Sequence, residues 1–62
     1  MKYSELERKL KKSGCHEDGE IDGHPAWFSP ITGQYFKMSH HKNKEVAIGT
    51  LNSIKKSSGV SY

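Results

Sequence analysis

A second cysteine is missing from this chain of 62 residues, so Cys15 has no partner for an intramolecular disulfide. A lone thiol suits a reducing compartment, and the expected location is the cytoplasm. Long apolar runs are missing as well. Nothing approaches the roughly 18 consecutive apolar residues of a membrane span, and Glu5, Glu7 and Arg8 stand where a secretory leader would be apolar. The expectation is therefore a chain with no membrane partner. Hydrophobic residues make up 32% and aromatics 10%, which suffices for one small core over residues 1–62 and leaves nothing for a second domain. No G-x-S-x-G elbow and no Gly-rich P-loop occur, which excludes acyl transfer and nucleotide hydrolysis by those routes. Cys15, His16, His24, His40 and His41 are suitable metal ligands by type, but no C-x-x-C or H-x-x-x-H spacing joins them. Neither a metal nor another cofactor is expected.

What is present is basic charge, unevenly placed. Ten Lys and Arg against seven Asp and Glu give +3 and a pI near 9.1. Four of the seven acids, Glu17, Asp18, Glu20 and Asp22, crowd one short stretch, so the rest of the chain is strongly basic. Lys2, Arg8, Lys9, Lys11 and Lys12 load the first segment. Lys37, Lys42, Lys44, Lys55 and Lys56 load the second half, opposed there only by Glu45. Both ends are suited to phosphate contacts.

Apolar spacing divides the chain into five elements. Ser4-Glu5-Leu6-Glu7 has the form of a capping box and predicts a helix starting there. Tyr3, Leu6 and Leu10 form its apolar stripe, and Gly14 supplies the left-handed stop. Residues 15–23 predict a first strand leading into a loop, although His16-Glu17-Asp18-Gly19-Glu20 lacks clean alternation. His24–Ser29 and Gln34–Met38 read as the arms of a hairpin joined by Pro30-Ile31-Thr32-Gly33. Trp27, Phe36 and Met38 are expected inward, with Phe28 and Tyr35 partly exposed as a partner surface. Leu51, Ile54 and Gly59 place a second helix near 50–58. The fold class is α+β, with the order α-β-β-β-α, a three-stranded antiparallel sheet and both helices on one of its faces.

Among side chains able to move protons near neutral pH, the four histidines lead. His24 stands out because it follows Gly23 and opens the aromatic strand, which puts it at a loop mouth on a rigid element. Pro25 beside it removes a ladder donor and confines that position to an edge or a strand start.

The residues also carry a family resemblance over nearly the whole chain. It rests on Lys12-Ser13-Gly14-Cys15, Asp22-Gly23-His24, Trp27-Phe28-Ser29-Pro30-Ile31-Thr32-Gly33, Phe36, His41, Lys44-Glu45-Val46, Gly49-Thr50-Leu51 and Ile54. In this order and spacing the chain resembles the HicA toxins of bacterial toxin–antitoxin pairs. That resemblance implies a fold akin to the double-stranded RNA-binding domain, acting as an mRNA-cleaving ribonuclease with a single catalytic histidine and neutralised by a HicB-like antitoxin. The family's essential histidine falls on His24, and His41 matches a second recurrent histidine. With Lys9, Lys12, Lys37, Lys42, Lys44 and Lys55, His41 is expected to contact RNA, and Phe28 with Tyr35 to meet the antitoxin. One departure is the acidic run from Glu17 to Asp22, which would repel RNA beside the active face. Its alternative consequence is a catalytically weakened module that only binds RNA or protein.

Overall fold

A computed structural model describes all 62 residues. Its elements are α1 (Tyr3–Lys12), β1 (His16–Ile21), β2 (His24–Ser29), β3 (Gln34–Lys37) and α2 (Ile48–Ser58), and the antiparallel sheet runs in the order β1-β2-β3. This is the α-β-β-β-α order expected from the apolar spacing. Leu6 and Leu10 of α1 and Ile54 of α2 join Trp27, Phe36, Met38, Cys15, Val46 and Val60 in one buried cluster on a single face of the sheet.

The start of α1 differs from expectation. The helix begins at Tyr3, one residue before the supposed cap, and no side chain caps it. The N–H of Tyr3 donates to the Lys44 carbonyl at 3.1 Å and that of Ser4 to the Lys42 carbonyl at 3.0 Å. A backbone carbonyl from a distant loop thus satisfies the Ser4 N–H, which Glu7 would have served in a capping box, and a second one the Tyr3 N–H before it. Glu7, released from that duty, is buried to 8% exposure and meets Lys42 at 3.3 Å. The Met1 ammonium meets Glu45 at 2.9 Å, and a bridge pairs Lys2 with Glu45. The loop before α2 is therefore clamped to the N-terminus of α1.

β1 and β2 are joined by the two residues Asp22 and Gly23, both at positive φ (51° and 79°), so that Ile21 pairs with His24. This is a type I′ hairpin turn, whose twist matches that of the flanking strands. Further along, Glu17 pairs with Trp27 and Glu20 with Pro25, so Asp18 and Gly19 together oppose Ala26 alone. The extra residue is a β-bulge, across which the side-chain period slips by one; the alternation is missing because β1 is an edge strand whose residues are exposed from His16 to Glu20. Pro25 sits in the central strand, second from its start, where its carbonyl accepts from the Met38 N–H at 2.8 Å. Of the two placements open to it, the strand start is the one observed.

The β2–β3 loop is tied to the far end of α2. Ser29 Oγ donates to the Ser58 carbonyl and Thr32 Oγ1 to the Ser57 carbonyl, each at 2.5 Å. These hydroxyls serve helix-end carbonyls that have no partner within the helix. Gly59 ends α2 at φ 71°, and a Cβ there would lie 2.9 Å from Ile31 and 3.0 Å from Thr32. Glycine is required twice over at that position, by conformation and by space. α2 begins at Ile48, two residues earlier than expected, and Ile48 itself is exposed, so the first turn of the helix adds nothing to the core.

Candidate active site and nucleic-acid interface

Pair mates in an antiparallel sheet share a face, and alternate residues of a strand do too. Trp27 pairs with Phe36 beneath the helices, which leaves His24 and Phe28 of β2, with Tyr35 and Lys37 of β3, on the bare outer face. His16 pairs with Phe28 and joins them from β1. The rings of His16 and Phe28 are 5.7 Å apart and those of Phe28 and Tyr35 5.0 Å, both pairs tilted.

His24 is exposed at the first position after the I′ turn. It lines an open cleft with Tyr3, Lys37, Met38, Ser39 and Thr50, where the sheet meets the starts of both helices. Its ring stacks beside that of His40, with centroids 6.3 Å apart and planes 24° from parallel. His40 Nε2 lies 2.7 Å from the Gly23 carbonyl, so the loop histidine is anchored to the turn that presents His24. Lys37 reaches the Asp22 carboxylate at 2.8 Å. That hydrogen bond and the lysine charge hold the Asp22 carboxyl below the usual carboxylate range, with a smaller contribution from His24.

The other basic residues fall into separate groups. His41, Lys42 and Lys44 line a second cleft together with His40 and Asn43, which makes it continuous with the His24 site through His40. Lys42 is engaged with Glu7 there. Lys9 and Lys12 lie on the exposed side of α1, sharing a groove with Lys2 and Arg8. Lys55 sits over the Tyr62 ring at 6.0 Å. Neither those two α1 lysines nor Lys55 lines the His24 cleft. Of the two adjacent loop histidines, His41 is the one at the recurrent family position, and His40 is the one whose ring stands beside that of His24. The Asp22-Gly23 turn, which sets the distance between them, was readable as a hairpin signal.

The acidic run is divided by the bulge. Glu17 and Glu20 pair with Trp27 and Pro25, on the face away from His24. On the outer face, Asp18 accepts a hydrogen bond from the Tyr35 hydroxyl at 3.1 Å and Asp22 is matched by Lys37. Tyr35 is pushed upward by that contact, its phenol held neutral against the Asp18 charge.

The family model described as the HicA toxin of bacterial toxin–antitoxin pairs matches residues 3–60. The chain belongs to the HicA toxin family. Neither a curated protein nor a solved structure is found to match it. Membership gives this HicA chain a toxin's role and an antitoxin as its partner. No helix of the toxin is long and apolar enough to cross a membrane, and no three metal-ligating side chains converge in it.

Proposed function

We propose that this HicA toxin is an endoribonuclease that cleaves mRNA in the cytoplasm, with His24 as its proton-transfer group, and that a HicB-like antitoxin neutralises it. The supporting observation is an exposed imidazole on the first residue of the central strand, presented by a tight turn beside Lys37. RNA carries its own nucleophile in the 2′-hydroxyl. Scission then needs a base for that proton, a cation near the phosphate and a proton for the leaving 5′-oxygen, and no activated water. The O2′–P bond forms as the P–O5′ bond breaks, leaving a 2′,3′-cyclic phosphate and a 5′-hydroxyl. Metal is not called for by this chemistry, and His41, Lys42 and Lys44 offer a path for the flanking phosphates, with Lys9, Lys12 and Lys55 available to longer RNA.

The alternative of a module weakened by its acids is disfavoured by their disposition, since two of the four lie on the other face and two are engaged. Phe28 and Tyr35 share the face of His24, so an antitoxin seated on these rings covers the catalytic group as well. Purified toxin incubated with mRNA in EDTA should fragment it, and His24→Ala should lower the rate by about 10²- to 10⁴-fold while keeping antitoxin affinity. Intact transcripts, or equal cleavage without the imidazole, would refute the assignment.

A further inference from the structure

Scission by the 2′-hydroxyl places the attacking and leaving oxygens on opposite sides of phosphorus, so two protons move at two places in one step. A single imidazole serves one of them. We propose that His40 is the general acid that protonates the departing 5′-oxygen while His24 accepts the 2′-hydroxyl proton; this rests on the ribonuclease reading above.

The geometry supports the pairing in three ways. The two rings stand side by side at 6.3 Å between centroids, near enough to address one phosphodiester. His40 is fixed, because its Nε2 contacts the Gly23 carbonyl at 2.7 Å. A carbonyl only accepts, so Nε2 carries the hydrogen and Nδ1 is the nitrogen left to exchange a proton with substrate. Finally, Gly23 is bonded to His24 in the chain. One turn therefore references both imidazoles, one through the peptide bond and the other through a hydrogen bond. His41 has no such tie, its backbone N–H being held by Ser39 Oγ at 3.0 Å.

The charged and titratable groups near the two rings come from several elements. His24 of β2 stands beside His40 itself, Lys37 of β3 and Tyr3 of α1 line the His24 cleft, and Asp22 of the turn pairs with Lys37. His41, Lys42 and Lys44 share the loop of His40. This setting is mostly cationic, which suits a phosphorus centre gaining negative charge in the transition state. In the balanced step, the 2′-hydroxyl proton passes to His24 and the Nδ1 proton of the His40 imidazolium passes to O5′. Proton exchange with solvent then restores both rings.

The test separates acid catalysis from scaffolding by changing the leaving group. Unsubstituted toxin, His40→Ala and His40→Gln are compared on an RNA oligonucleotide and on a nucleoside 3′-(4-nitrophenyl) phosphate, whose departing phenolate needs no proton. RNA cleavage should fall about 10²-fold or more in both variants, with the aryl ester still cleaved at close to the unsubstituted rate. Glutamine keeps an N–H donor for the Gly23 carbonyl but cannot supply a proton. Recovery of RNA cleavage in His40→Gln, an equal fall on both substrates, or no fall at all would overturn the acid role. RNA left whole by the unsubstituted toxin, or cut equally well by His24→Ala, would instead overturn the ribonuclease reading itself.

Discussion

Trp27 and Phe28 are neighbours in one strand, yet they belong to two different surfaces. Trp27 is 1% exposed beneath α1 and α2, pairing with Phe36 inside the one buried cluster. Phe28 is half-buried on the bare face, where His16 and Tyr35 lean against it at 52° and 55°. The backbone is common to both, so the difference lies in what each side chain meets. Trp27 and Phe36 meet packed apolar atoms and set stability. Phe28, Tyr35 and His24 meet water, ion pairs and tilted rings, and are free to carry chemistry and a partner. In so small a chain this division by strand parity lets a site be built without opening the core.

The largest effect separating the faces should come from Trp27→Ala. Truncating a buried aromatic costs about 3–5 kcal/mol, comparable with the roughly 3–5 kcal/mol that a core of this size supplies in total. The variant should be unfolded or nearly so in a urea titration followed by circular dichroism. Phe28→Ala, one residue on, should retain a cooperative transition. Similar losses at the two positions would show that the outer aromatics are a second core and not a surface.

Next comes Tyr35→Ala, which tests what the bare face is for. Tyr35 is 53% exposed and its hydroxyl touches only Asp18, so the thermal midpoint should hardly move. Affinity for the antitoxin, measured by calorimetry, should drop by about 30-fold if the ring is an interface anchor. An unchanged affinity would move the antitoxin off this face.

Much of this division could be read from the chain. Alternation placed Trp27, Phe36 and Met38 inward, and the spacing of Tyr3, Leu6 and Leu10 marked the buried stripe of α1, because both patterns are local. Other features depend on distant partners. The capping box at Ser4–Glu7 does not form because the Lys42 carbonyl, far along the chain, takes the Ser4 N–H that Glu7 would have served. The slip in β1 needed the pairing register to become visible. His24 was legible as the strand-opening histidine. Which of the adjacent His40 and His41 stands beside it was not, since only the folded turn brings the Gly23 carbonyl to one of them.

The smallest effect concerns the Asp22–Lys37 pair, which crosses the outer face beside His24. Asparagine tolerates the positive φ of position 22 and suits a type I′ turn ahead of glycine, so Asp22→Asn changes charge with little change in backbone preference. The folded carboxyl lies below its ordinary value of 3.8. The folded chain therefore binds this proton less readily than the unfolded chain, and the resulting stabilisation is present above the ordinary value and lost as pH falls through the lower folded one. Thermal melts taken from pH 7 down to pH 3 should accordingly show the parent losing slightly more stability than Asp22→Asn, with the gap shrinking in high salt. At neutral pH the same substitution releases Lys37 into the His24 cleft. If that lysine then takes up one phosphate, the salt dependence of RNA binding should steepen by about 0.7 in log–log slope. Parallel melting curves with an unchanged slope would mean that the pair is decoration on this face, and that His24 works without help from Lys37.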